Sequence, residues 1–419
     1  MKKALMALAA MAMLFSSASA QEKSPAKYKL YGFFRNYMIF DTRDNHAGTL
    51  DLYDFAPKDE VLNINGDDAN ANSSFRFLAL TTRLGLDISG YQFGSTKFSG
   101  KVETDFYSMN GSTAILRLRQ AFIKAAWDQL GASGENSASV TIGQAWHPMA
   151  SDMPMIVSLE TGAPFGPFSR TPLIQGDYNI GKNITLTAAM IYGMQYLPTG
   201  PNGKSADYMK YGKLPEIYAG ITFKGESGIT GKLGVDIFSI KPRWKNALGT
   251  KVSDRMTNFS PFAFIQYSGK DGFLLKAKAI YASAGEHMNL LTGYGVSSIN
   301  TDGSYEYTPQ RSLATWVSAQ YGKKWQVMGM LGYMKLFGTA EDLVSTDMYY
   351  FNGSGDKNVN QMVRVCPTIQ YNAGKFQFAI EYNMTTAQYG KHMGLNGLSQ
   401  DDLHWVTNHR IMNVVKFNF

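Results

Sequence analysis

One cysteine, Cys366, occurs in 419 residues, so no disulfide framework can form within the chain. No apolar run after Ala20 approaches the ~20 residues that a membrane-spanning helix needs. The sequence also lacks a linker, a block of like charge and a low-complexity segment, so nothing divides it into separate domains. Histidine is scarce, six in all: His147, His287, His392, His404 and His409 are scattered, with no HExxH or paired metal spacing. There is no GxSxG nucleophile setting, although scattered Ser, His and Asp leave open a serine hydrolase built on a barrel wall. Nucleic-acid binding is unsupported, since there is neither a basic cluster nor a recognisable module. These absences exclude a disulfide scaffold and a helical membrane protein. They give no grounds for expecting an enzyme, a bound metal or a cofactor.

What is present is aromatic and evenly punctuated. Aromatics make up 13% of the chain, with 24 Tyr and 25 Phe, and 41 Gly are spread along it. Residues 1–20 read as a secretory signal peptide: Lys2 and Lys3, an apolar run from Ala4 to Phe15, and the small-residue site Ala18-Ser19-Ala20. Cleavage there lowers the formal charge from +7 by the two lysines removed. Residues 21–27 form a short periplasmic lead, and 28–419 one barrel domain. At the other end, Ile411, Val415, Phe417 and Phe419 share one strand face, opposite Arg410 and Lys416. This is similar to the closing strand of bacterial outer-membrane barrels, whose terminal Phe is read by the barrel assembly machinery; Phe419 takes that place.

Alternating segments separated by turns are the signature of a transmembrane β-barrel. They fall at about 28–41, 75–89, 95–109, 112–127, 138–147, 172–181, 183–196, 215–225, 229–241, 257–269, 272–284, 310–322, 325–337, 360–372, 375–389 and 403–419. The expected fold is therefore all-β: a transmembrane antiparallel barrel of sixteen strands, with short periplasmic turns and long outer loops. Outer-membrane lipid surrounds one strand face and water the other. Tyr281, Tyr321 and Tyr371 fall where interfacial girdle residues belong. The second outer loop, Asn110-Gly111-Ser112, is the short exception. At this width side chains cannot fill the interior, and no plug domain is read ahead of the first strand.

The stretch from Ala138 to Arg170 breaks the pattern. It begins as a strand, then turns at His147-Pro148 into a segment that holds four of the chain's 14 prolines. It is too apolar to float in water and too rich in proline to join a sheet. The expectation is a third outer loop folded into the lumen, narrowing a channel. Strand parity sends Arg35, Arg83, Lys101, Arg117, Arg119, Lys276, Lys278 and Arg364 to the polar face. The loop supplies Asp152 and Glu160, and Arg170 ends it. An arginine wall opposite loop carboxylates would set a transverse field that selects ions. Pairing with Asp87, Glu103 and Asp105, which would merely hold the barrel's shape, stands beside that reading. Trp146, Phe165 and Phe168 read as wedges between loop and wall more readily than as a substrate grip.

Leu116-Arg117-Leu118-Arg119-Gln120-Ala121-Phe122, then Ile142-Gly143-Gln144-Ala145-Trp146, then an Asp-x-x-Pro loop closed by Arg170, resembles DcaP-type outer-membrane porins. The resemblance covers about 60 residues. It implies a sixteen-stranded homotrimeric porin whose arginine-rich constriction favours small anionic solutes such as dicarboxylates. It also implies that Arg117, Arg119, Asp152 and Arg170 lie at or near that constriction. Gln120 departs from the His of many relatives, and the lead after Ala20 is too short for the coiled coil that some members carry. Two other classes remain open: a surface structural or adhesion barrel with a loop-blocked lumen, and a hydrophobic-solute transporter.

Overall fold

The computed structural model describes residues 26–108, 114–246 and 248–419. The expected signal peptide, residues 1–20, and the short second loop, Asn110-Gly111-Ser112, fall outside these residues. Sixteen antiparallel strands close into one barrel. They are β1 (Lys27–Asp41), β2 (Ser74–Leu78 continued by Arg83–Phe93), β3 (Thr96–Ser108), β4 (Ala114–Leu130), β5 (Asn136–Trp146) and β6 (Arg170–Ile180). They continue as β7 (Ile184–Ile191), β8 (Glu216–Lys224), β9 (Ile229–Ile240), β10 (Met256–Ser268) and β11 (Leu274–Ser283). The last five are β12 (Tyr305–Tyr321), β13 (Trp325–Thr339), β14 (Val359–Ala373), β15 (Phe376–Tyr389) and β16 (His404–Asn418). Short turns join one end. At the other lie the loops L1 (42–73), L3 (147–169), L4 (192–215), L5 (241–255), L6 (284–304), L7 (340–358) and L8 (390–403).

The period of two predicted from sequence is what aims the side chains. Along β16, Val406, Asn408, Arg410, Met412 and Val414 turn inward and are buried, while Trp405, His409 and Ile411 are exposed on the outer face. Leu30, Phe34, Met38 and Phe40 on β1, and Leu233, Ile265, Val317 and Leu331 further round, continue an outward apolar belt. No lipid can hydrogen-bond a strand's backbone, and closure of the ladder satisfies every spanning strand without leaving an edge. β1 pairs with β16 from Phe33 opposite Asn418 to Asp41 opposite Arg410. Gly32 makes the seam possible: a Cβ there would come within 2.5 Å of the Phe419 ring, which packs at 5.3 Å from Phe34.

The sequence reading differs most at β2, β7, L1 and β12, the last beginning at Tyr305 and not near 310 because its first residues pair with Gly293–Ile299 of L6. β2 is not continuous: both its pieces pair with β1, and the residues between them, 79–82, leave the ladder around Thr81, whose φ is +62°. The Thr81 hydroxyl there meets the Tyr37 hydroxyl inside the barrel at 2.8 Å. β7 stops at Ile191, not near residue 196, because the chain turns into L4. L1 is not simply a polar loop. Its centre folds into a small hairpin, Asn45–Gly48 against Tyr53–Pro57, whose Leu52 and Phe55 are buried in the lumen mouth.

The inner face of the barrel is therefore two-sided. From β10 to β15 it carries a large apolar cluster, with Phe262, Trp316, Met330, Met334, Met362 and Cys366 pointing in beside Lys278, Arg364 and Glu381. L1, L3, L6 and L7 supply Phe55, Phe165, Leu290 and Phe351 to the same core. Fully burying each such side chain is worth ~1.5–3 kcal/mol, so these loops are packed against the wall. From β1 to β6 the inner face is more polar, with a smaller apolar cluster at Tyr37, Ile39 and Leu80.

Candidate functional site: a basic wall opposite the inserted loop

L3 crosses the lumen along a series of fixed points. At its tip Lys232 on β9 holds Asp152 with contacts of 2.8 and 2.9 Å. Lys278 donates to the carbonyls of Met149 and Asp152, both at 2.7 Å, and Lys276 to that of Met153 at 3.1 Å. The loop then runs past β12, where Met155 N–H meets the Ser318 hydroxyl at 2.7 Å, and past β15, where Val157 N–H meets Glu381 at 2.7 Å. Arg35 on β1 donates to the Val157 carbonyl from the far wall. The return leg packs Phe165 onto Gly332, where a Cβ would lie 2.5 Å from the ring. Phe168 stacks edge-on with Trp146 at 5.3 Å and Tyr53 at 5.6 Å. Phe165 and Phe168 are buried wedges, as their composition suggested, though Phe168 also lines the outer cavity.

Arg364 is the deepest of these anchors. Its guanidinium has five N–H groups, and all five are used. Nε donates to Thr385 Oγ1, Nη1 to Glu160 and the Ala163 carbonyl, and Nη2 to the carbonyls of Asp54 and Phe55, over 2.8–3.3 Å. One side chain thus ties L1 and L3 to the wall. Arg410 repeats the device: it pairs with Asp41 through two 2.8 Å contacts and donates to the Asp51 carbonyl at 2.9 Å.

The sequence-selected residues fall into two groups. Arg35, Arg83, Lys101, Arg117, Arg119 and Arg170 gather on the polar wall. Lys276, Lys278 and Arg364 face inward as parity required, but they lie beneath L3 and L1 as anchors. Asp152 and Glu160 do not face the arginine wall: they are held by Lys232 and Arg364 on the opposite side. The expected juxtaposition of the arginines with these two carboxylates is not found, because each acid is paired where the loop meets the wall.

On the polar wall, part of the charge is cancelled across neighbouring strands. Lys101 pairs with Asp87 at 2.8 Å; Arg117 pairs with Asp105 at 2.9 Å; Arg119 bridges Glu103 at 2.7 Å and Asp105 at 2.6 Å. Arg83 reaches Glu103 only at 3.8 Å. Gln120 joins the network by donating to Glu103 at 3.3 Å, just beyond a bulge at Arg119 that explains the blurred alternation of β4. Arg35, Arg170 and Lys416 have no carboxylate partner among the described residues. Arg170 lies over the rings of Trp146 and Phe168 and bonds Gln195 at 3.2 Å. Arg35 and Lys416 sit directly opposite each other across the β1–β16 seam. Like charges in that position are destabilising for a sheet. Lys416 was legible from the parity of the last strand but carried no motif to single it out.

Two cavities flank the loop. The outer one, about 1000 Å³, is lined by Arg117, Arg170, Lys58, Lys204, Tyr107 and Tyr196, with Leu159 of L3. The inner one, about 170 Å³, is lined by Arg35, Lys416, Gln370 and Gln377, with Val157 of L3. Val157 and Leu159 are two residues apart, so the loop edge separates the cavities by little more than one residue. Cations line both sides of it.

Burial pushes the Glu160 carboxyl up to about 7; Arg364 opposes the effect, and Asp54 and Glu381 add to it. A carboxyl raised above its unfolded value near 4.5 favours the folded loop fully below that value, and this contribution is lost as pH rises through the folded pKa. L3 should therefore be cleaved more readily by an added protease at pH 8 than at pH 5, with the change spread between about 4.5 and about 7. Glu160→Gln should flatten the profile, and an identical profile in that variant contradicts the assignment. Lys278→Met should free the loop tip by leaving two carbonyls without their donor, at ~1–3 kcal/mol each. Faster nicking between Met149 and Met155 is the readout.

No family model matches the chain, and no curated protein matches it in sequence. Solved structures do. The outer membrane channel DcaP of Acinetobacter baumannii aligns with a TM-score of 0.66 at 18% identity, over 94% of this chain and 97% of that one. The trimer form of OmpT, an outer membrane protein of Vibrio cholerae, aligns at 0.51 and 12% identity, over 94% and 99% of the two chains. OmpF of Salmonella typhi, in complex with Daunomycin, gives 0.52 and 12% identity over 94% and 98%. The chain has the fold of these outer-membrane porin barrels.

Proposed function

We propose that this protein is an outer-membrane porin: a channel through which small hydrophilic anions, dicarboxylates foremost, diffuse down their gradient with no chemical step. The observation that carries the reading is the unpaired cation set. Arg35 and Lys416 face each other across the seam at the inner cavity, and Arg170 lies at the outer one. A sheet disfavours like charges placed opposite each other, and a low-dielectric passage lined by one sign of charge concentrates ions of the other. Guanidinium groups also match carboxylates with paired hydrogen bonds. The signal sequence, the outward apolar belt and the terminal Phe419 support residence in the outer membrane after export and handling by the barrel assembly machinery. The fold shared with the trimer form of OmpT supports a homotrimer.

A second reading draws on the loops. L1, L3, L6 and L7 all pack inward, as a structural barrel with a blocked lumen would require. Planar-bilayer recording across a KCl gradient separates the two. Discrete steps with an anion-leaning reversal potential are expected, together with faster swelling of liposomes in a dicarboxylate than in a neutral sugar of similar size. Folded protein that gives no steps would favour the blocked barrel, and equal swelling rates would remove the anion preference.

A further inference from the structure

A second polar cluster lies away from the passage, where the root of L3 meets β8, β9 and L6. His147 begins L3, Glu216 opens β8, Asp236 lies on β9 and His287 belongs to L6. All four are at most 3% exposed. One contact is a hydrogen bond, His147 Nε2 to Glu216 Oε1 at 2.6 Å. The remaining cross-separations are different: His147 Nε2 to Asp236 Oδ1 is 3.6 Å, His287 Nε2 to Glu216 Oε1 3.6 Å, and His287 Nε2 to Asp236 Oδ2 3.4 Å.

None of these three longer contacts is a hydrogen bond in the structure. Glu216 Oε2, both Asp236 oxygens and both His287 nitrogens are buried without a hydrogen-bond partner among the described residues. Five orphan polar atoms in one dry site is unusual, since native interiors leave only a few per hundred residues. Separations of 3.4–3.6 Å are also what ligand atoms show around a tetrahedral ion bonded at ~2.0–2.2 Å. Glu216 and Asp236 each offer an oxygen within 4.8 Å of the other, and His287 Nε2 lies 3.6 Å from a Glu216 oxygen and 3.4 Å from an Asp236 oxygen.

We propose that Glu216, Asp236 and His287 bind one divalent transition-metal ion of the zinc class, with His147 orienting Glu216. Two carboxylates and an imidazole suit Zn²⁺ better than an all-oxygen ion such as Ca²⁺. His147 is assigned the outer role because its Nδ1 accepts a hydrogen bond from Met149 N–H at 3.1 Å. Its Nε2 therefore carries the proton that goes to Glu216, and an outer partner of that kind fixes a ligating carboxylate. Phe238 stacks on the His287 ring at 3.7 Å and keeps it aimed at the acids. The ion would join two strands to the roots of L3 and L6, stapling the inserted loop at its base as Arg364 does along its return leg.

The test uses untagged full-length protein in detergent, stripped with a chelator and titrated with ZnCl₂. Bound zinc is counted by mass spectrometry after dialysis, and thermal unfolding is followed in parallel. The expected result is one zinc per chain with a raised unfolding temperature. Uptake should weaken at least tenfold in Asp236→Asn and in His287→Gln, and it should be kept in His287→Cys, which restores a zinc ligand. Retained heat-modifiable migration in gels identifies variants whose barrel has formed. Wild-type protein that takes up no saturable zinc overturns the proposal and leaves a charged quartet of two imidazoles and two carboxylates. Uptake unchanged in both weakening variants overturns it equally.

Discussion

In a bilayer bathed by a salt gradient, the double variant Arg35→Gln/Lys416→Gln should lose most of the channel's anion preference. A fall in the anion-to-cation permeability ratio on the order of tenfold is expected, since charge lining a low-dielectric cleft enriches counter-ions by about that factor or more. The effect is large because this pair is uncompensated: each faces the other across the seam, neither has a carboxylate partner among the described residues, and both line the inner cavity. Glutamine keeps a donor for the Val157 carbonyl, so L3 should stay where it is. Removing two opposed like charges should not destabilise the barrel, and a gain of ~0.2–1 kcal/mol is the expected direction. Stability and selectivity thus move independently. A reversal potential unchanged from the parent would remove the seam cations from any role in selectivity. Arg119→Ala is a poorer test, since it removes one cation partner from each of the buried Glu103 and Asp105 and mixes a folding defect with a charge effect.

Arg364→Ala should open the channel. Its five donors are spent on Thr385, Glu160 and three carbonyls of L1 and L3, and deleting it leaves Asp54 and Glu160 buried without their cation. Breaking a buried pair in this way costs ~3–5 kcal/mol. The ladder of sixteen strands does not depend on this side chain, so the loss should appear as release of both loops while the barrel persists. Single-channel conductance should rise severalfold, with added noise, in a protein that still shows the heat-modifiable migration of a folded barrel. Arg364→Lys should behave more like the alanine variant than like wild type, because an ammonium has three donors and no planar fork. Unaltered conductance in both variants would mean that the apolar packing of Phe165 and Phe55 holds the loops alone.

Much of this architecture was legible beforehand because a barrel strand has a strict period. Two residues per repeat decided that Leu30, Phe34 and Phe40 face out and that Arg35 faces in, and the same rule placed Arg117 beside Arg119. The count of sixteen followed from turns that punctuate every hairpin. Proline and apolar content marked L3 as a loop needing a wall to pack on, and that wall exists. L1 was harder to see: its hairpin is only nine residues of pairing, set in polar text, and the apolar Leu52-Tyr53-Asp54-Phe55 looks no different from Val61-Leu62-Asn63-Ile64, which stays exposed.

The sequence by itself determined the barrel, its strand number, the inward set of cations and the presence of an inserted loop, all through local alternation and turn chemistry. Which charges are free to act was decided only in three dimensions. Glu160 meets Arg364 across 204 positions of sequence, and Asp152 meets Lys232 across 80. Such pairings depend on where closure brings distant strands and on how L1 and L3 fill the apolar half of the lumen. For the same reason the uncancelled charge lies at Arg35, Lys416 and Arg170. The loop carboxylates are paired with Lys232 and Arg364, and among the described residues no carboxylate forms an ion pair with any of these three.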